Sequence, residues 1–304
     1  MKWRKIRKRD RGDVVDIRGS SKGGGRSAGG LPIPAGAGGI GGGLGLVVVL
    51  VVLALQVFGN GGGFDLGSLL GPAAAPPGPE DGQGLPPGED PQKDLKDFSS
   101  AVFAEAQNTW DESFAAAGNP YEDAKLVLYS DAVRTGGCGN ATSAVGPFYC
   151  PADSRVYLDL SFYADMERQL GARGDFAWAY VIAHELGHHV QNVDGTNARV
   201  SDLERSEPGE ANELSVRVEL QVDCYSGVWA ASVFAGGDLE EGDLEEAFTA
   251  AEAVGDDRLQ EQAGGGINPD SFTHGTSEQR RTWFERGYSS GDPKACDTFS
   301  VDSV

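Results

Sequence analysis

Three of the chain's four histidines fall in one short run, His184-Glu185-Leu186-Gly187-His188-His189. His184 and His188 are four apart, so on a helix they share a face, and both rings can reach one ion at ~2.0–2.1 Å, the usual zinc–nitrogen distance. Glu185 is turned about 100° from His184. It stands beside such an ion rather than on it, where a carboxylate can take a proton from water that the metal activates. The plain alternative is a chance match on a core helix. So many histidines in so short a buried stretch favour metal chemistry over packing. His189 points off the ligand face and reads as structural or as an outer hydrogen-bond partner.

A tetrahedral catalytic zinc needs a third protein ligand and an open fourth position. About thirty residues on, Glu219-Leu220-Gln221-Val222-Asp223 sets two carboxylates on one helical face. Glu219 reads as the third ligand. Asp223, one turn further, can accept a hydrogen bond from the non-ligating nitrogen of a zinc-bound histidine and fix its tautomer. Both lie among Leu220, Val222, Cys224, Val228 and Trp229, where an unpaired carboxylate is costly. Glu213 is the nearest rival as ligand, with Glu207 and Glu210 in a looser stretch.

The elements that position these groups follow from spacing. A helix from about Asp175 to Gln191, with Asp175 as N-cap, carries the first motif, and one from about Asn212 to Phe234 carries the second. Ahead of them, Phe98, Val102, Ala106 and Trp110 recur every four residues and predict a helix over Asp94–Ala117. Leu126–Tyr129 reads as a strand. Val145–Cys150 and Val156–Leu160 read as a pair joined by Pro151, Asp153 and Ser154. The alternation in Val156–Leu160 predicts a half-buried or edge strand, on which an extended peptide could pair. Leu239–Ala253 reads as a solvated acidic helix. Thr276 and Gln279 form a capping box that opens a short helix ending at Gly287. Strands grouped ahead of helices predict an α+β domain with a small antiparallel sheet.

Charge is unevenly spread. Residues 1–26 hold ten Lys/Arg against three Asp, a net of +7 in a chain of −21, so residues 27–304 carry −28. The acidic part repels phosphate backbones and argues against nucleic acid as partner. The uncharged LGLVVVLVVLALQVF at 44–58, with the glycines ahead of it, is about 20 residues long, enough for one spanning helix. The organisation expected is a basic cytoplasmic tail at 1–38, a transmembrane anchor at 39–58, a Gly/Pro-rich linker at 59–94 and a domain at 95–304. Lys/Arg ahead of the span place the N-terminus in the cytoplasm and the domain outside. Cys138, Cys150, Cys224 and Cys296 all lie on the exported side, and an even number there reads as two disulfides, Cys138–Cys150 and Cys224–Cys296 being the favoured pairing of three.

HELGHHVQ, ELQVDCYSGVWA and DSFTHGTSEQRRTWF resemble, in that order, the gluzincin class of zinc peptidases and more closely the bacterial putative neutral zinc metallopeptidase family. The opening RKRDRGDVVDIRG is similar to that family's start. The resemblance covers nearly the whole chain apart from the linker. It departs at Val222, where Ala is expected, and at the degenerate start. It implies a zincin-like domain, one zinc per chain, and a peptide or protein substrate. It also implies that His274 donates to the oxyanion formed from the scissile carbonyl, with Arg280, six residues on, supporting it or holding a substrate carbonyl; Arg281 is its rival. A zinc amidase acting on cell-wall peptides would use the same residues. An anchored scaffold stabilised by zinc would have no use for Glu185.

Overall fold

The computed structural model describes residues 1–3, 12–19, 77–79, 84, 85, 88, 90–264 and 266–304. The stretch expected as a membrane anchor, 39–58, lies outside the described residues. Among those described, no helix is long and apolar enough to cross a membrane.

The four-residue recurrence yields α1 (Lys93–Ala116), which buries Phe98, Val102, Ala106 and Trp110. A four-stranded sheet follows the order β1 (Val14–Asp16), β2 (Lys125–Tyr129), β6 (Arg155–Asp159), β5 (Phe148–Cys150). The first three strands are parallel, and only β5 runs antiparallel to its neighbour β6. The sheet is therefore mixed rather than antiparallel. A separate hairpin pairs β3 (Ala132–Arg134) with β4 (Asn140–Thr142).

β6 is not an edge strand. Its alternation separates two apolar faces rather than an apolar from a wet one: Val156 and Leu158 join the main core, while Tyr157 packs in a second cluster, stacked on Phe148 at 4.9 Å. Among the described residues, the edge nearest the motif helix is β5. Val145, expected in that strand, closes a short turn ahead of it.

β1 comes from the segment expected to be a cytoplasmic tail. Val14, Val15 and Asp16 pair with Leu126, Val127 and Leu128, and Ile17 is buried in the second cluster. Arg18 is buried, held by Asp16 at 2.8 Å and by Asp90 at 2.6 Å. The Met1 ammonium sits among Asp175 at 3.0 Å, Glu240 at 3.0 Å and Asp243 at 3.2 Å. Two strands that share hydrogen bonds cannot be parted by a bilayer, so residues 12–18 belong to the domain. The described parts of the expected linker also pack on it, the Pro77 carbonyl accepting from Arg134 N–H at 2.9 Å.

The helical half begins with the short α2 (Phe162–Asp165), then α3 (Asp175–Val193), α4 (Thr196–Ser206) and α5 (Ala211–Ala235). It continues through α6 (Asp243–Ala253), α7 (Asp256–Gln262) and α8 (Ser277–Ser290). Asp175 is the first helical residue of α3 and not its cap: Gly174 precedes it, and Glu246 of α6 accepts from Phe176 N–H at 2.9 Å. α6 is only partly solvated, since Ala247, Ala250, Ala251 and Ala253 are buried. The capping box of Thr276 and Gln279 opens α8, but Gly287 does not end it; Gly291, at φ 60, does.

Gly287 marks a close crossing instead. A Cβ there would lie 1.9 Å from the Cys224 carbonyl oxygen, and one at Gly227 would lie 2.1 Å from the Phe284 carbonyl oxygen, so α5 and α8 touch backbone to backbone. Gly187 brings α3 close to α5 through a side chain, since a Cβ there would meet Val222 Cγ1 at 2.7 Å. Both expected disulfides are present. Cys224–Cys296 fastens the C-terminal segment to α5, and Arg217 adds a hydrogen bond to the Val301 carbonyl at 2.9 Å.

Candidate metal centre and active site

α3 and α5 carry the site from opposite sides. His184 Nε2 lies 3.2 Å from Glu219 Oε2, and His188 Nε2 lies 3.5 Å from Glu219 Oε1. Donors bound tetrahedrally at ~2.0–2.1 Å stand ~3.3 Å from one another. One ligand atom from each of His184, His188 and Glu219 fits within a 4.8 Å group, the donor set of a catalytic zinc site. The residue types and their closeness fit such an ion.

Each imidazole is turned by its other nitrogen. His184 Nδ1–H donates to Asp223 Oδ1 at 3.1 Å, and His188 Nδ1–H donates to Gln191 Oε1 at 3.2 Å. Both Nε2 atoms are thereby aimed at Glu219. Asp223 is fully buried and also accepts from Tyr180 Oη at 2.5 Å and from Arg280 Nε at 2.8 Å. Arg280 is therefore given to Asp223 rather than to the substrate space, and is 2 % exposed. Arg281 faces outward to Glu252 and Glu285. Glu213 spends its carboxylate on Arg217 at 2.8 Å, away from the imidazoles. Glu207 and Glu210 are exposed.

Without a metal the centre is balanced by protons. Burial opposes charge on His184, yet its hydrogen bonds to Asp223 and Glu219 raise its pKa to about 9. Burial lowers His188 to about 4. Glu219, despite burial, is held well below the carboxylate range by His188, His274 and His184. A cation held by these residues would replace the proton on His184, so its affinity would depend on pH. Burial pushes the Glu185 carboxyl up to about 7, near the value useful to a general base.

His274 approaches Glu219 closely enough for their charges to interact. Its loop is built on Asp256, whose Oδ2 accepts from the backbone N–H of Thr273 at 2.7 Å, His274 at 2.6 Å and Gly275 at 3.1 Å. Asp256 Oδ1 lies 3.3 Å from His274 Nδ1. Asp256, Gln191 and Tyr180 were not singled out in the sequence. Only spacing pointed to two of them: Gln191 stands three residues after His188, and Tyr180 four before His184. His189 takes no part in the metal centre, and its ring is hydrogen bonded to Tyr149 and to the Glu122 carbonyl.

Comparison with known proteins points to a zinc peptidase family. The model of the family described as "Putative neutral zinc metallopeptidase" matches residues 1–299. The uncharacterized protein YpfJ of Escherichia coli is 46 % identical over 301 residues, covering 98 % of this chain and 99 % of its own. An uncharacterized protein of Mycobacterium tuberculosis is 45 % identical over 192 residues, 60 % of this chain and 64 % of its own. No solved structure matches.

Proposed function

The chain belongs to this zinc metallopeptidase family, and from that premise we propose that it hydrolyses peptide bonds in peptide or protein substrates with one zinc per chain. The observation that carries the reading is the convergence of one ligand atom each from His184, His188 and Glu219 within 4.8 Å, with Glu185 on the same helix as the two imidazoles. In fold terms this is a zincin-like domain of gluzincin type. The chemistry expected of bound zinc is Lewis acidity, which polarises a carbonyl and lowers the pKa of a water.

The chain's own groups do the rest. Glu185, ionised at neutral pH once a cation is near, takes one proton from the attacking water and delivers it to the leaving amine nitrogen, while the hydroxyl joins the carbonyl carbon. His274, oriented by Asp256, donates to the oxyanion. Asp223 and Gln191 hold the two imidazoles, and Arg280 neutralises Asp223 from behind. An extended peptide is seated along the free edge of β5, the strand that packs on α3.

Two disulfides support an oxidising, extracytoplasmic location for the domain. We infer membrane attachment through the apolar stretch at 44–58, by burial in the bilayer from the domain's side rather than by a single crossing, because residues 12–18 pair with β2 on that side. Extraction of membranes with alkaline carbonate checks attachment: a chain recovered wholly in the supernatant removes that part of the reading.

The function is tested on the full chain, because a 95–304 fragment lacks β1. Metal analysis of wild type and Glu185→Gln is expected to give one zinc per chain in both. Hydrolysis of an unfolded casein-like substrate is expected in wild type alone. Equal turnover by the two proteins would end the assignment of Glu185.

A further inference from the structure

The metal geometry leaves His189 without a task, although it is 1 % exposed and fully hydrogen bonded. Glu185 and His189 are themselves four residues apart. α3 thus shows two paired faces, His184 with His188 toward α5, and Glu185 with His189 toward β5. The second member of that pair reaches β5 directly: His189 Nδ1 lies 3.0 Å from Tyr149 Oη.

The roles of the ring nitrogens are settled by their partners. A carbonyl oxygen can only accept, so His189 Nε2–H donates to the Glu122 carbonyl at 2.6 Å. Nδ1 is then the acceptor, and Tyr149 Oη donates to it. The ring is wedged edge-to-face between Tyr149 at 5.5 Å and Tyr121 at 5.6 Å. β5 is only three residues long and is paired on one side, through Phe148, Tyr149 and Cys150. A strand of that length lifts or slips readily unless a side chain fixes it.

We infer that His189 is a positioning residue: by holding Tyr149 it fixes the free edge of β5 against α3, and so sets where a peptide laid along that edge presents its carbonyl to Glu185. This rests on the proposed peptidase reading, which supplies the peptide. A loop or strand displaced by about 1 Å can cost on the order of a hundredfold in rate, so a clamp of this kind is visible in kinetics.

The test uses full-length His189→Phe, Tyr149→Phe, the double variant and His189→Gln, whose amide can still donate to Glu122 and accept from Tyr149. All four are expected to keep one zinc per chain. His189→Phe and Tyr149→Phe are each expected to lose roughly tenfold or more in kcat, with KM for an extended peptide raised several-fold. The double variant should be no worse than the poorer single, and His189→Gln should recover most of the loss. Lowered melting temperatures with kcat and KM unchanged well below them would overturn the inference, as would additive losses. Backbone hydrogen exchange over 148–150, expected to quicken in His189→Phe, reads the clamp without turnover. If zinc-loaded wild type cleaves no peptide, the peptidase reading fails by itself, and unchanged exchange in His189→Phe would still refute the clamp.

Discussion

Gly187→Ala tests whether contact between α3 and α5 sets the metal centre. The new Cβ would lie 2.7 Å from Val222 Cγ1 and 3.5 Å from Val222 Cβ. Val222 is fully buried, and a β-branched side chain in a helix has one strongly preferred rotamer, so it cannot turn aside cheaply. Overpacking of this kind costs roughly 1–3 kcal/mol, offset by about 1 kcal/mol from the better helix propensity of alanine. The net expectation is a loss of about 0–2 kcal/mol. Val222→Ala alone removes two buried methyl groups and should cost about 2 kcal/mol. In the double variant the added methyl enters the space Val222 vacates, so the overpacking vanishes and the two changes should interact favourably by about 1–3 kcal/mol. Urea melts of the four metal-free proteins measure this directly. A competition titration with a zinc chelator should show weaker binding in Gly187→Ala and recovery in the double variant, because spreading the helices lengthens the 3.2 Å and 3.5 Å imidazole–carboxylate distances. Additivity within about 0.5 kcal/mol would refute the packing argument.

In the metal-free protein, burial raises the Glu185 pKa from its ordinary 4.5 to about 7, so the folded state holds its proton more tightly than the unfolded chain. Its favourable contribution is complete below pH 4.5 and is lost as pH rises through 7; Glu185→Gln should therefore be more stable than wild type at pH 8, by on the order of 3 kcal/mol, with the difference closing below pH 4.5 in thermal melts. Arg280→Met strands the buried Asp223 carboxylate and should cost about 3–5 kcal/mol in urea melts, with KM near wild type; a raised KM at unchanged stability would put Arg280 on the substrate instead. Deleting residues 1–18 should bare the edge of β2 and the pocket of Ile17, giving a less stable chain that self-associates, as size-exclusion chromatography would show; a monomer of unchanged melting temperature would contradict the strand's role.

The candidate metal centre is legible in the sequence because its information is local. His184 with His188 and Glu219 with Asp223 each declare a helical face by four-residue spacing, and buried carboxylates demand partners. What had to be seen in three dimensions was the support. Asp256 reaches His274 from another helix across eighteen residues, and no spacing rule connects them. Arg280 was assigned by resemblance to the reacting groups, yet it lies behind Asp223, a placement decided by how α8 crosses α5. Gly287 was read as a helix terminator because glycine has two uses, and the sequence does not say whether a backbone is turning or being approached. Tyr157 misled the edge assignment of β6, since a tyrosine in an alternating strand can face water or stack on Phe148. β1 was hidden among basic residues, and its partner is far along the chain.

That distance shapes how the molecule is made. Val14 leaves the ribosome long before Leu126 exists, so β1 cannot be placed until more than a hundred further residues have followed. Until then Val14, Val15 and Ile17 have no surface to cover them. Contacts of such high sequence separation form late and slowly, because the loop between them must be closed before any hydrogen bond repays it. Docking of β1 is thus the natural slow step of maturation, and the nascent chain must keep a short apolar strand out of mischief for most of its synthesis.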